Sequence, residues 1–246
     1  EALVAQGQLE KLTAPGGRAN DLFGTAVSLS DARVLVGAWL ADDACPDDPG
    51  CQSGAVCLFE GGAGGFRQVR RWIPSDGARE DHFGRELALD GDLAVIASDR
   101  DGRWNERLQT AFVYERSALG DWLERARLHA TDQAEQDDFA AALALDGETI
   151  AVGAPGDDVF GYAGAGSVWI FERRSGDWRE TARLRATVPC PGMQFGSALA
   201  LRDGRLLVGA PGDAHSGDSS GSAYLFRRSA QGWEEEARLL ASNGDW

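Results

Sequence analysis

Long hydrophobic runs are missing from this chain. No stretch approaches the ~20 consecutive apolar residues of a membrane helix, so insertion into a bilayer is not expected. No signal peptide opens it either; it begins Glu1-Ala-Leu-Val, as a mature or excised domain would. Positive charge is scarce. The 24 basic residues face 39 acidic ones, for a net charge of −15. That balance argues against a nucleic-acid footprint and against an anionic membrane surface. It leaves a basic partner, a bound cation or simply a solvated surface. Lysine occurs once, at Lys11, and no functional meaning follows from that. Four cysteines are too few to build a fold of 246 residues from disulfides, and their spacing suits no zinc pattern. Three histidines, His82, His129 and His215, leave little material for acid–base catalysis.

What the chain does have is a sentence written four times. Phe195-Gly196 leads through Arg-Asp-Gly to Gly209-Ala210-Pro211, and Phe139-Ala140 through Leu-Asp-Gly-Glu to Gly153-Ala154-Pro155. Phe83-Gly84 leads to Ala97-Ser98-Asp99, and Phe23-Gly24 to Gly37-Ala38-Trp39. The four phenylalanines are spaced 60, 56 and 56 residues apart. A period of that size marks an array of one supersecondary unit.

Each unit holds four strand-like pieces. The first starts at Phe-Gly and alternates large with small residues. The second, as in Thr149-Ile-Ala-Val-Gly153, has no polar face and must be buried on both sides. The third is aromatic, as in Ser167-Val-Trp-Ile-Phe171. The fourth starts at Phe66, Trp122, Trp178 or Trp233; in Trp178–Leu184 the alternation puts Trp178, Glu180, Ala182 and Leu184 on one face. Arg179, Thr181 and Arg183 fall on the other, a charged face suited to an exposed edge strand. A short helix is the competing reading, and seven residues between glycine-rich turns fit a strand better. Four-stranded antiparallel units that are apolar on both faces bury each other when stacked around an axis. The expected fold is therefore an all-β propeller filling residues 1–246, with repeats at approximately 8–66, 67–122, 123–178 and 179–241. Gln8–Ala14 resembles a surplus fourth strand. Either four blades close and that strand caps an edge or pairs with another chain as a homo-oligomer, or the chain is a segment of a larger propeller.

The Phe-Gly and Gly-Ala-Pro elements resemble the FG-GAP repeats of integrin α-subunit propellers, and more closely those of bacterial FG-GAP proteins. The resemblance runs from about Gln8 to Leu240. It implies a propeller, usually of seven blades, on a secreted or cell-surface protein used for adhesion or ligand binding; some relatives are lectins and some form modules of larger enzymes, and no catalytic constellation marks this chain as an enzyme. Integrin propellers commonly carry an aspartate-rich calcium loop between the first two strands. Here that connection is only Ser30-Asp31-Ala32, Asp90-Gly91-Asp92, Asp146-Gly147-Glu148 or Arg202-Asp203-Gly204, the chemistry of a tight hairpin turn. Six to eight oxygen ligands need a longer loop, so calcium is not carried over to those positions. Asp99-Arg-Asp101-Gly102 hints at a calcium loop but lacks its third acid and its glutamate.

Strand order places the long second-to-third and fourth-to-first connections at one end of the blades and the short turns at the other. Binding on a rigid scaffold usually sits in long loops. Asp21, Asp81 and Asp137 stand two residues before the phenylalanine in three repeats. Asp157, Asp158 and Asp213 follow the Gly-Ala-Pro-Gly turns. These acids either cap their own turns or hold a cation, calcium included, or a cationic ligand. Trp104 and Tyr162 lie in the same long loops, where each could stack on a sugar, anchor a protein partner or simply pack. The expected ligand is a protein, with a glycan as the alternative. A purely structural segment is the third reading. Gly217-Asp-Ser-Ser-Gly221 matches G-x-S-x-G, but it leads from a loop into a strand and lacks the strand-to-helix setting of a nucleophile elbow. Cys45 and Cys51 bracket a loop with two prolines and a glycine, and a local disulfide there would place the protein in an oxidising compartment. The states of Cys57 and Cys190 stay open.

Overall fold

The computed structural model of the chain describes residues 11–240 apart from 46, 49, 63, 75, 100–107 and 216–219. Sixteen strands fall into four antiparallel sheets, each made of four strands consecutive in sequence. Blade 1 holds β1 (Val27–Ser30), β2 (Arg33–Ala38), β3 (Ala55–Gly62) and β4 (Gly65–Trp72); blade 2 holds β5 (Leu87–Asp90), β6 (Leu93–Ser98), β7 (Thr110–Arg116) and β8 (Trp122–Leu128). Blade 3 holds β9 (Ala142–Asp146), β10 (Thr149–Ala154), β11 (Ser167–Arg174) and β12 (Asp177–Leu184). Blade 4 holds β13 (Ala198–Arg202), β14 (Arg205–Ala210), β15 (Ser222–Ser229) and β16 (Gly232–Leu239). Among the described residues the only helical turn is Glu135–Asp137. This is the β-propeller architecture expected from the repeat.

Three details differ from the sequence reading. The first strand of each blade begins three or four residues after the phenylalanine, not at it. Gly24, Gly84 and Gly196 have φ of +99°, +95° and +99°, a left-handed backbone that no strand accommodates. The Phe-Gly pair is a turn that lays its backbone against the preceding blade. The fourth strand also does not alternate strictly. A β-bulge sits opposite Ile170/Phe171, and equivalent bulges occur in the other three blades. One extra residue swaps the faces of all that follow it. Trp178 accordingly packs on the cluster shared with blade 2, while Ala182 and Leu184 join the cluster shared with blade 4. Lastly, residues 11–14 of the surplus segment form no strand, and residues 8–10 lie outside the described residues. Leu12 and Ala14 instead pack on the outward face of blade 1, beside Val36, Cys57 and Phe59.

Burial follows the stacking. The central strands β2, β6 and β10 are buried over four or five residues each, having a blade on both sides or, for β2, the N-terminal segment. In β14 burial alternates instead, and Leu207 is 37% exposed. Among the described residues, substantial contacts join blade 1 to 2, 2 to 3 and 3 to 4, and none of comparable extent joins blade 4 to blade 1. The blades form an open arc.

Cys45 and Cys51 are disulfide-bonded, and Cys57 and Cys190 are free. Asp42 fastens the same loop by accepting from the backbone N–H groups of Gly50 (3.0 Å) and Gln52 (2.9 Å). Those bonds hold its carboxyl below the usual carboxylate range. Non-reducing peptide mapping should recover Cys45 and Cys51 in one linked pair, and free thiols at both positions in exported protein would contradict the assignment.

Candidate binding site

The short-turn end is tied together by hydrogen bonds from blade to blade, and it carries two clefts: one of about 670 Å³ beside Arg202, Asp203 and Arg228, and one of about 250 Å³ beside Asp31, Arg33 and Arg116. The first hairpin of each blade turns in two residues, and at Asp203-Gly204 both φ values are positive (+48° and +69°), as a type I′ turn requires. Side chains at the end of each first strand reach the next turn: Ser30 accepts from Gly91 N–H, Asp90 from Gly147 N–H and Asp146 from Asp203 N–H, at 2.7–2.9 Å. These turns supply no ligand cage for a cation.

The long loops converge at the other end, and the acids marked from the sequence lie there with different partners. Asp21, Asp81 and Asp137 each accept the backbone N–H of the residue three before, at Arg18, Ala78 and Ala134. Asp21 and Asp81 are buried, 7% and 2% exposed; Asp137 is half-buried, and desolvation raises its carboxyl above the ordinary value. Asp157 bonds Ser167 and Arg183. Asp213, wholly buried, accepts from the backbone and ring of His215, from Tyr224 (2.8 Å), from Ser222 and from Arg238. Burial alone would raise its carboxyl, but the bonds from Ser222, His215 and Tyr224 outweigh that and hold it far below the usual range. Asp158 is exposed and caps Gly164 N–H at 2.9 Å. Tyr162 is 42% exposed, while Trp104 lies outside the described residues.

The sequence reading missed the arginines. Arg127, Arg183 and Arg238 occupy one position of the fourth strand, read above as solvent-facing. The bulge turns them inward. Each guanidinium lies over a third-strand aromatic ring, Phe112 at 4.5 Å, Trp169 at 4.6 Å and Tyr224 at 5.6 Å. Each also meets a loop carboxylate: Asp76, Asp157 and Asp213. In blade 1 the equivalent Arg71 meets Asp43 and the Cys57 sulfur. The recurring Arg-Leu of Ala-Arg-Leu was the signal. In blades 2, 3 and 4 a clamp of ring, guanidinium and carboxylate ties one loop segment to the blade, and in blade 1 Arg71 ties Asp43 without a ring.

Two clefts open at this end among the described residues, the smaller, of about 230 Å³, between His82, Arg85, Asp99 and Glu135. The larger, of about 410 Å³, is lined by Asp132, Gln136, Asp137, Asp158, Phe160 and Arg185, with Arg183 and Asp157 at its floor. Phe160 is 76% exposed and sits at φ +52°. Arg185 lies 5.4 Å from its ring centroid and makes no ion pair among the described residues. Its buried Nε has no hydrogen-bond partner. Burial and the neighbouring Arg183 charge disfavour its cation and outweigh the opposing pull of Asp157 and Asp132. The cleft thus sets a half-buried guanidinium with no direct ion pair beside an exposed ring, among the carboxylates of Asp132, Asp137, Asp157 and Asp158.

Cys190, Asp213 and His215 bring donor atoms within 4.8 Å of one another. The carboxylate there already meets Arg238, so the cluster is a filled polar network and not a cation seat. Of Gly217–Gly221, residues 217–219 lie outside the described residues. Among the described residues no helix is long and apolar enough to cross a membrane.

A family model described as FG-GAP repeat matches the chain four times, over residues 7–59, 66–114, 122–171 and 178–226. No curated protein matches the chain.

Proposed function

Since this chain belongs to the FG-GAP repeat family, we propose that it serves as a non-catalytic binding module outside the cell. It engages a protein ligand through the long-loop end, at the cleft beside Phe160 and Arg185. The observation that carries this reading is Arg185, an unpaired guanidinium next to a ring that is 76% exposed. Aromatic and arginine side chains dominate the energetics of protein interfaces, and acidic loops around them favour a ligand with flanking basic residues. Secretion is supported by the Cys45–Cys51 disulfide, since such bonds persist in oxidising compartments. The buried aspartates act indirectly here, holding the loops that present the cleft.

Panning a displayed peptide library and probing a glycan array in parallel tests the ligand class. Peptides carrying a carboxylate beside an apolar residue should be enriched, with affinities that fall as salt rises. Saturable glycan binding with no enriched peptide would instead favour the lectin reading, with Tyr162 and Phe160 as sugar platforms.

A further inference from the structure

The three blade junctions are built to one plan, and the two ends of the arc carry its unused halves. On the leading face, Leu87 and Leu89 of β5 are 4% and 7% exposed against blade 1; their counterparts in β1, Val27 and Leu29, are 65% and 66% exposed. On the trailing face, Leu35 and Val95 are fully buried, whereas the counterpart Leu207 is 37% exposed. Trp72, Leu128 and Leu184 are 3%, 4% and 7% exposed, whereas Leu239 in the same register is 50% exposed. The backbone socket is repeated too. At Gly54 and Gly166 an added Cβ would lie 2.2 Å from the carbonyl oxygen of Phe83 and Phe195 of the next blade. At Gly221, the same position in blade 4, the nearest atom is Pro211 O at 3.3 Å. Blade 4 keeps the glycine, and no Phe-Gly turn fills the space in front of it.

Polar side chains say which blade fits. At each internal junction a glutamate ending the third strand meets an arginine of the next blade: Glu60 with Arg116 (3.9 Å), Glu115 with Arg173 (2.9 Å), Glu172 with Arg228 (2.7 Å). Blade 4 has Arg227 in the glutamate position, so an ordinary following repeat would set arginine against arginine. Blade 1 alone has no arginine to offer there; its residue is Gly61. Likewise Arg202 replaces the acceptors Ser30, Asp90 and Asp146, and the turn it would face in blade 1 carries the exposed Asp31.

We propose that a second copy of this chain docks head to tail, the trailing face of its blade 4 covering Val27 and Leu29 of the first, with Phe23-Gly24 entering the Gly221 socket. The junction is heterologous, and two of them related by a two-fold axis close a ring. Leu12 and Ala14 stand in its way. They precede Phe23 by the spacing at which Leu184 and Ala186 precede Phe195, and they cover the matching patch of blade 1. The N-terminal segment therefore competes with the incoming β16.

Light scattering on the full chain over a concentration series tests this. The expected result is a rise from 26.2 kDa towards twice that mass, with the dimer favoured at least several-fold when residues 1–14 are removed. Val27→Asp with Leu29→Asp, and separately Leu207→Asp with Leu239→Asp, should each be monomeric while keeping the circular dichroism and melting temperature of dilute, monomeric wild type, because those side chains already face solvent. Mixing the two variants should restore a dimer through the one intact junction. Growth to larger species would support the docking and replace the ring by an open chain. A monomer at every concentration with and without residues 1–14, or association that survives both face variants, would overturn the proposal.

Discussion

Gly166→Ala should destabilise the protein by about 3 kcal/mol or more, lowering the melting temperature by roughly 6–12 °C. Two costs add. Gly166 has φ +84°, and any side chain there strains the backbone by about 1 kcal/mol or more. The new methyl carbon would also stand 2.2 Å from Phe195 O and 2.5 Å from Phe195 N, backbone atoms that cannot swing aside. The blade 3–4 junction must open to admit it, and Phe195, fully buried, moves with that backbone. Gly221→Ala is the internal control, with φ +71° but no backbone closer than 3.3 Å. It should cost only the strain, about 1 kcal/mol. In the head-to-tail dimer the same substitution should also weaken association. Chemical denaturation of the two variants as monomers reads the difference; equal losses would mean that the Phe-Gly turn is not seated as described.

Asp213→Ala should cost about 3–5 kcal/mol, the usual loss when one member of a buried charged network is removed. It would leave Arg238 without its carboxylate and Tyr224, Ser222 and His215 without their acceptor. Replacing exposed Asp158, which caps one backbone N–H, should cost about 1 kcal/mol or less. The pH dependence follows from the depressed carboxyl of folded Asp213. A group whose folded pKa lies below its unfolded one contributes fully above the unfolded value, near 4, and is lost as pH falls toward the folded one. Stability should therefore be level from about pH 7 to 5 and decline below about pH 4. Asp42 and Glu115, lowered by backbone and arginine bonds, push the same way, while Asp137 and Glu86, raised by burial, push against it. The test is thus the difference between proteins: the Asp213→Ala curve should be shallower than wild type. Parallel curves would show that the network does not hold the carboxylate ionised.

The architecture was legible because the repeat states it four times, and because apolar second strands call for a neighbour on both faces, a demand met in β2, β6 and β10 and left open in β14. The Asp-Gly turns and the local disulfide were legible for the same reason: each is encoded within a few residues. The fourth strand was read with its faces wrong past the bulge, since a bulge is set by pairing to β11 and leaves no mark in the period of β12. That error hid the arginine clamps, which need a bulge, an aromatic ring one strand away and an acid from a distant loop. Asp21, Asp81 and Asp137 share one register in the sequence and one turn-capping bond in the structure. The choice between capping and ligand binding depended on burial, which spacing does not reveal. Phe160 and Arg185 carried no signal at all, because Arg185 is conspicuous only for the ion pair it lacks.

The most direct test of the long-loop end as the binding end is titration of one library-selected peptide against three folded proteins. Wild type and the short-turn variant Asp92→Ala with Glu148→Ala should bind alike, within about twofold. Phe160→Ala with Arg185→Ala should lose at least about tenfold, the effect of truncating a central aromatic or arginine anchor. Binding that survives the loss of Phe160 and Arg185 but fails in the short-turn variant would contradict the account and move the functional face to the other end of the blades.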